Sequence, residues 1–213
     1  MRTIPLEGWP RKDHYQFYRD FQYPIFNLCA DVDLSALLPF VKERGISFTA
    51  AMMYLIARVA NSIPEFRQRV REGAPVEHPV VHPSATILSK NDLFAFCTVE
   101  YAEDFPEFIR RAEAEIAQVK EEPSLKEKIQ NDAALYMTSI PWVSFTSFTH
   151  PLKLLPADSV PRFAWGKYQE VDGCVKMPLS VQGHHALMDG LHAGLFYQRF
   201  QALLDHPDQL KAR

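Results

Sequence analysis

Two adjacent histidines, followed four residues later by an aspartate, stand out in residues 184–190 (HHALMDG). A neutral imidazole titrates near pH ~6.5, so it can accept a hydroxyl proton when another group fixes its orientation. Three interpretations are open. The histidines could simply end a strand before a helix capped by Asp189; His185, Asp189 and His192 could bind a metal; or one histidine could be a general base. A cap at Asp189 would leave His185 outside the helix, which disfavours the metal site.

The residues around the histidine pair predict the elements that hold it. Apolar side chains alternate with others over residues 174–182, which is the period of a strand with one strongly apolar face. From Asp189 to about Asp205 the sequence predicts a helix with one apolar stripe and Asp189 at its N-cap. The histidines are therefore expected in a tight connection between a strand and a helix.

The rest of the chain predicts further strands and helices. Residues 48–63 (FTAAMMYLIARVANSI) are apolar on nearly every side, so we expect a helix that is buried on most of its faces. No repeat, linker or shift in composition marks a boundary, which predicts one domain over residues 1–213. The other predicted elements are helices over 34–44 and 106–129, the latter interrupted near Pro123, and strands over 85–89, 93–100 and 139–149.

Composition excludes several classes of protein. The chain has 213 residues, 47% of them hydrophobic and 23% charged, with a net charge of −3, which argues against disorder and against nonspecific nucleic-acid binding. The longest uncharged run, 133–152, is broken by Ser, Thr, Pro and His, so no membrane span is predicted. The N-terminus lacks the apolar stretch of a signal peptide, which predicts a cytoplasmic location. Three cysteines without a C-x-x-C pair disfavour a disulfide framework or a thiolate zinc site.

The HHALMDG segment resembles the His-His-x-x-x-Asp-Gly signature of the chloramphenicol acetyltransferase family and, more distantly, the catalytic cores of dihydrolipoyl acyltransferases. The similarity continues, in the family's order, along nearly the whole chain. The matching segments are 14–19 (HYQFYR), 61–67 (NSIPEFR), 81–84 (VHPS), 141–148 (PWVSFTSF), 166–168 (GKY) and 177–182 (MPLSVQ). The resemblance implies an α+β fold, a two-layer sandwich of a mixed sheet packed against helices. It also implies a homotrimer with active sites at the subunit interfaces.

The resemblance also implies roles for individual residues. His185 corresponds to the general base that takes the proton of the acceptor hydroxyl, whereas His184 is structural. Ser147 corresponds to the donor to the oxyanion of the transition state. Asp189 is implied to pair with Arg19 and so to hold the loop that carries the base, rather than to complete a Ser-His-Asp triad.

The implied reaction moves an acetyl group directly from the co-substrate acetyl-CoA to a hydroxyl of chloramphenicol or a related small molecule, with no metal and no acyl-enzyme. Lys167 and Tyr168 correspond to residues near the CoA channel, where a cation and an aromatic ring suit phosphate and adenine. Phe26 and Phe94 correspond to aromatic positions of the acceptor pocket.

Three residues depart from the family pattern. Gly183 stands where the family usually has a branched apolar residue, Met188 where it commonly has cysteine, and Ala164 where a threonine supports a bound water. Two alternatives therefore stay open: an acetyltransferase for an unrelated hydroxyl or amine acceptor, and a catalytically silent trimer that binds CoA or a drug. A dihydrolipoyl acyltransferase is disfavoured because no lipoyl domain or Ala/Pro linker is present.

Overall fold

The computed structural model describes residues 1–126, 132–154 and 158–210. Its α-helices are Lys12–Tyr18 (α1), Leu37–Glu43 (α2), Phe48–Asn61 (α3), Phe105–Glu121 (α4) and Gly190–Asp205 (α5). Its strands are Arg2–Thr3 (β1), Ile25–Asp33 (β2), Gln68–Arg71 (β3), Ala74–Glu77 (β4), His82–Leu88 (β5), Phe94–Thr98 (β6), Ala134–Ile140 (β7), Arg162–Gly166 (β8), Gln169–Val171 (β9) and Cys174–His184 (β10). Short 3-10 helices cover Pro64–Arg67 and Pro207–Leu210.

The main sheet is mixed. Its strand order is β2-β10-β8-β7-β5-β6, with β9 paired to β10, and a small second sheet has the order β1-β4-β3. Strand β7 runs parallel to both β5 and β8, whereas the other pairs are antiparallel. Helices pack against this sheet, which confirms the predicted α+β fold. The proposed single domain over 1–213 stays a prediction, since its last three residues lie outside the described ranges.

Helix α3 lies at the centre of the core. Every residue from Ala50 to Ala57 is at most 1% exposed, so the prediction of a helix buried on most faces is confirmed. The Ser47 side chain caps it by accepting a hydrogen bond from the Ala50 N–H. Helices α4 and α5 contact α3, and together with the apolar face of the main sheet they form one continuous cluster. This cluster holds the strand that leads to the histidines.

The opposite face of the main sheet is polar, and an irregular segment crosses it. A strand was predicted over 139–149, but β7 ends at Ile140, so that prediction is wrong for residues 141–149. The Phe148 carbonyl accepts a hydrogen bond from Ser180 Oγ at 3.0 Å. The Phe145 and Phe148 rings pack together, with centroids 5.5 Å apart. Alternating apolar residues here therefore reflect packing onto one face rather than pairing in a ladder.

Other boundaries differ by a few residues from their predictions. Helix α2 begins at Leu37, so Pro39 falls in its first turn, where a missing amide costs nothing. Helix α4 ends at Glu121; residues 127–129 of the predicted helix lie outside the described residues. The strands predicted over 85–89 and 93–100 are β5 and β6. Among the described residues, no helix combines the length and apolar character that a membrane span needs.

Candidate active site

Strand β10 delivers the histidine pair to one end of the sheet. It lies between β2 and β8, where Gly183 is opposite Phe26 and Val181 is opposite Phe163. The strand ends at His184, whose carbonyl accepts from the amides of Leu187 and Met188 in a tight turn. The His185 amide donates to the Pro24 carbonyl at 2.7 Å. The turn is therefore closed by its own backbone and attached to the residue that precedes β2.

The two histidines have different surroundings. His184 is buried, and this burial lowers its pKa to about 4, so the imidazole is neutral at physiological pH and accepts from the Ala186 amide. The His185 ring instead stacks on Tyr18, with centroids 4.2 Å apart and planes 6° from parallel. Phe26 contacts the same ring at 5.4 Å. The Nδ1 atom of His185 is buried and has no hydrogen-bond partner among the described residues.

Asp189 caps helix α5, as predicted, and accepts from the Leu191 amide at 3.0 Å. Its second carboxylate oxygen lies 2.6 Å from an Arg11 guanidinium nitrogen. Partial burial acts to raise the pKa of Asp189, but the hydrogen bond and charge of Arg11 outweigh it and lower that pKa to about 2. Arg11 also donates to the His185 carbonyl at 3.3 Å. One arginine thus joins the helix cap to the backbone of the candidate base.

The predicted pairing of Asp189 with Arg19 is wrong. Arg19 follows the other end of α1, where its Nε lies 3.4 Å from Asp20 and its side chain is 42% exposed. Arg11 stands at the N-terminal end of the seven-residue helix α1, and Arg19 follows its C-terminal end. Arg11 and Tyr18 are seven positions apart, which puts them on one face of the helix, and both contact the histidine turn. The residue beside Arg19 that does reach this turn is Tyr18, through its ring. Sequence reasoning missed both Arg11 and Tyr18, although Tyr18 lies within the matching segment 14–19 and Arg11 lies shortly before it.

A cavity of about 870 Å³ opens on the polar face of the sheet, over β5, β6 and β7. Its wall includes the aromatic residues Phe94, Phe96, Tyr136, Trp142 and Phe148. Polar groups among its lining include His150, Thr138 and the ion pair of Arg162 with Asp158. Burial, followed by the charge of Arg162, lowers the pKa of His150 to about 4, so this imidazole is neutral too. Phe94, the predicted acceptor residue, lies here, but His185 does not.

Ser147 lies in the irregular segment, not in a strand. It is exposed, and its chain neighbour Phe148 has its ring in the cavity wall. The segment is attached to the sheet because the His150 amide donates to Gln182 Oε1 at 3.1 Å. The structure therefore places Ser147 beside the cavity, and Phe26 beside His185. The residues predicted for one site fall into two groups within a single chain.

The described residues contain no group of three or more His, Cys, Asp or Glu side chains arranged to hold a metal ion. Of the possible metal ligands His185, Asp189 and His192, His192 does contact Asp189. The His185 ring packs between Tyr18 and Phe26 instead.

A family model described as chloramphenicol acetyltransferase matches residues 1–201. This chain belongs to the chloramphenicol acetyltransferase family. Chloramphenicol acetyltransferase of Escherichia coli is 30% identical over 95% of this chain and 93% of its own length. Chloramphenicol acetyltransferase 2 of Haemophilus influenzae is 32% identical over 95% of this chain and 96% of its own. Family membership makes the protein an acyltransferase and supports acetyl transfer as its activity.

Solved structures agree with this assignment. A chloramphenicol acetyltransferase structure superposes with a TM-score of 0.85 and 26% identity, covering 96% of this chain and 100% of the other. A dihydrolipoamide acetyltransferase of Azotobacter vinelandii gives a TM-score of 0.67 at 20% identity, covering 88% of this chain and 84% of its own. The second comparison shows a shared fold alone.

Two departures from the chloramphenicol acetyltransferase pattern compensate one another. A Cβ atom placed on Gly183 would lie 2.4 Å from Met188 Sδ and 3.1 Å from the Phe26 ring. Met188 is fully buried and fills the volume that a larger residue at 183 would need. A smaller side chain in the strand is thus matched by a longer one in the turn, as close packing requires. These differences leave the turn that carries His185 well packed.

Lys167 and Tyr168 connect β8 to β9, and both are exposed. The Lys167 amide donates to the Val143 carbonyl at 2.9 Å, which fixes this connection to the irregular segment. The Tyr168 ring lies 6.1 Å from Phe48. Both side chains are therefore accessible to a ligand, as the chloramphenicol acetyltransferase resemblance expects of CoA-binding residues.

Proposed function

We propose that this protein transfers an acetyl group from acetyl-CoA to a hydroxyl of chloramphenicol or a related small acceptor, with His185 as the general base. The observation that carries the proposal is the fixed orientation of His185. Its ring is stacked on Tyr18, and its carbonyl is bound by the arginine that pairs with Asp189. A base held in one orientation can meet the reacting hydroxyl without reorganisation.

In the proposed reaction, Nε2 of His185 takes the proton from the acceptor hydroxyl while that oxygen bonds to the thioester carbonyl carbon. Ser147 donates a hydrogen bond to the resulting oxyanion. The carbon–sulfur bond then breaks, and the imidazolium of His185 returns the proton to the leaving thiolate. Lys167 and Tyr168 are proposed to contact the phosphate and adenine of the CoA substrate.

We further propose a homotrimer that acts in the cytoplasm, with each active site between two subunits. The supporting observation is that His185 is absent from the lining of the aromatic cavity, which is proposed to bind the acceptor through Phe94. A neighbouring subunit would bring its cavity to the His185 of the first, because symmetric assemblies repeat one such contact around a closed ring.

The test of the activity is the release of free thiol from acetyl-CoA by the purified protein. Chloramphenicol-dependent release is the expected result, and a panel of small alcohols and amines covers the alternative acceptors. A silent CoA-binding protein is the second candidate, because Ala164 is fully buried on the polar face and offers no hydroxyl. Stabilisation by CoA without thiol release from any acceptor would favour that candidate and contradict the proposal.

The location of the site is tested by mixing two inactive variants. His185→Ala removes the base, and Phe94→Arg places a long charged side chain at an exposed position of the cavity wall. In trimers refolded from an equal mixture, roughly a quarter of the interfaces would join an intact base to an intact cavity, so activity should return. Each variant refolded alone is the control. No recovery in trimers of confirmed mixed composition would place base and cavity in one subunit.

A further inference from the structure

His192 lies in the first turn of α5 and contacts two acidic side chains. Its Nδ1 is 2.9 Å from Asp189 Oδ1, and its Nε2 is 3.5 Å from Glu65 Oε1. Glu65 belongs to the 3-10 helix Pro64–Arg67, which follows the central helix α3. The His192 side chain is only 12% exposed and the Glu65 side chain 22%, so water screens these contacts weakly.

These contacts continue to the candidate base. Asp189 offers Oδ1 to His192 and to the Leu191 amide, and Oδ2 to Arg11. Arg11 then donates to the carbonyl of His185 at 3.3 Å. An unbroken series of polar contacts therefore runs from Glu65 through His192, Asp189 and Arg11 to the backbone of His185.

We propose that His192 and Glu65 are positioning residues for the acetyl transfer, which they serve by fixing the Asp189 carboxylate and, through Arg11, the turn that carries His185. The inference rests on the proposed role of His185 as the base. Neither residue is proposed to touch a substrate. Arg11 holds one carboxylate oxygen, and His192 together with the Leu191 amide holds the other, so losing His192 removes one of the two contacts to Oδ1 and loosens the carboxylate that Arg11 binds.

The geometry gives His192 two hydrogen-bonding states. A protonated imidazole donates from both nitrogens, to Asp189 and to Glu65. A neutral ring has one donor, and its Nδ1, 3.2 Å from the Asp189 amide, can then accept from the backbone instead. Only the protonated imidazole can donate to Asp189 at the start of α5 and to Glu65 in the 3-10 helix at the same time, and so connect these two elements.

The charges facing His192 favour its protonated state. Glu65 from the 3-10 helix and Asp189 from the start of α5 favour it, whereas the positive charge of Arg11, from the segment before α1, opposes it. Burial acts to lower the pKa of His192, but the hydrogen bond and charge of Glu65 and the charge of Asp189 outweigh it and raise that pKa. A raised pKa in the folded state stabilises the protein fully below the unfolded value of about 6.5. That contribution is lost as pH rises through the raised pKa.

The test measures kcat, KM and thermal stability of His192→Ala, His192→Asn and Glu65→Gln. We expect His192→Ala to lower kcat by roughly 10- to 100-fold, with both KM values changed less than about 2-fold, because the base is misplaced and substrate binding is not. Asparagine can still donate to Asp189, so His192→Asn should recover most of kcat. The control is His206→Ala, an exposed histidine at the other end of α5, which should match the unmodified protein.

A second measurement separates positioning from general stability. The melting temperature of the unmodified protein should exceed that of His192→Asn most below pH ~6.5, and the difference should shrink at higher pH. Unchanged kcat in a folded His192→Ala protein, or a loss confined to KM, would overturn the inference. If His185→Gln itself stays active, the proposed function fails. If His185→Gln is inactive but the His192 and Glu65 variants keep full activity, the proposed function is supported and the proposed positioning role is contradicted.

Discussion

Replacing His185 with glutamine is expected to lower kcat by about 10²- to 10⁴-fold, the usual contribution of a general base. Glutamine keeps a flat polar group against Tyr18 but cannot take a proton at neutral pH. The turn itself is held by the backbone contacts of His185 to Pro24 and Arg11, which the substitution leaves in place. We therefore expect a folded protein that still binds acetyl-CoA.

The measurement is thiol release under saturating acetyl-CoA and the best acceptor, with melting temperature and CoA affinity recorded on the same preparation. His206→Gln makes the same chemical change at an exposed position and should keep full activity. A His185→Gln variant with more than about a tenth of the original kcat would mean that another group takes the proton.

Arg11→Ala is expected to destabilise the protein by about 2 kcal/mol and to lower kcat at least ~10-fold, whereas Arg19→Ala should change neither. The estimate lies below the ~3 to 5 kcal/mol of a fully buried pair, because the Asp189 side chain is 27% exposed. Loss of Arg11 strands the carboxylate and removes the donor to the His185 carbonyl. Arg19 contacts only its exposed neighbour Asp20 among the ion pairs of the described residues.

A double-mutant cycle with Asp189→Ala makes the comparison quantitative. Urea unfolding should give a coupling of about 1 to 3 kcal/mol between Arg11 and Asp189, and none between Arg19 and Asp189. The pKa of Asp189 is lowered to about 2, so the pair contributes fully above the unfolded value of about 3.9 and is lost as pH falls through 2. Assays near neutral pH therefore measure the intact pair. Full activity in a well-folded Asp189→Ala protein would contradict the proposed support of the base.

Much of the local structure could be predicted from periodicity and capping. The all-round apolar segment became α3, and the alternation over 174–182 became β10. Asp189 was placed correctly at the start of α5. These predictions are correct because each feature depends on a few consecutive residues and on which face those residues bury. The irregular segment 141–150 has the alternation of a strand without being one, because one-sided packing produces the same pattern.

The sequence alone determined where the candidate base lies, between a strand and a capped helix, and it determined the family through motifs spread along the chain. Only the tertiary structure decided which arginine holds that base. Arg11 and Asp189 are 178 positions apart, and their contact depends on how α1 packs against the turn, which no local pattern encodes. The tertiary structure also separated His185 from the aromatic cavity. Strand order sets the separation between His185 and the cavity, because β10, which leads to His185, lies two strands away from β7, which lines the cavity.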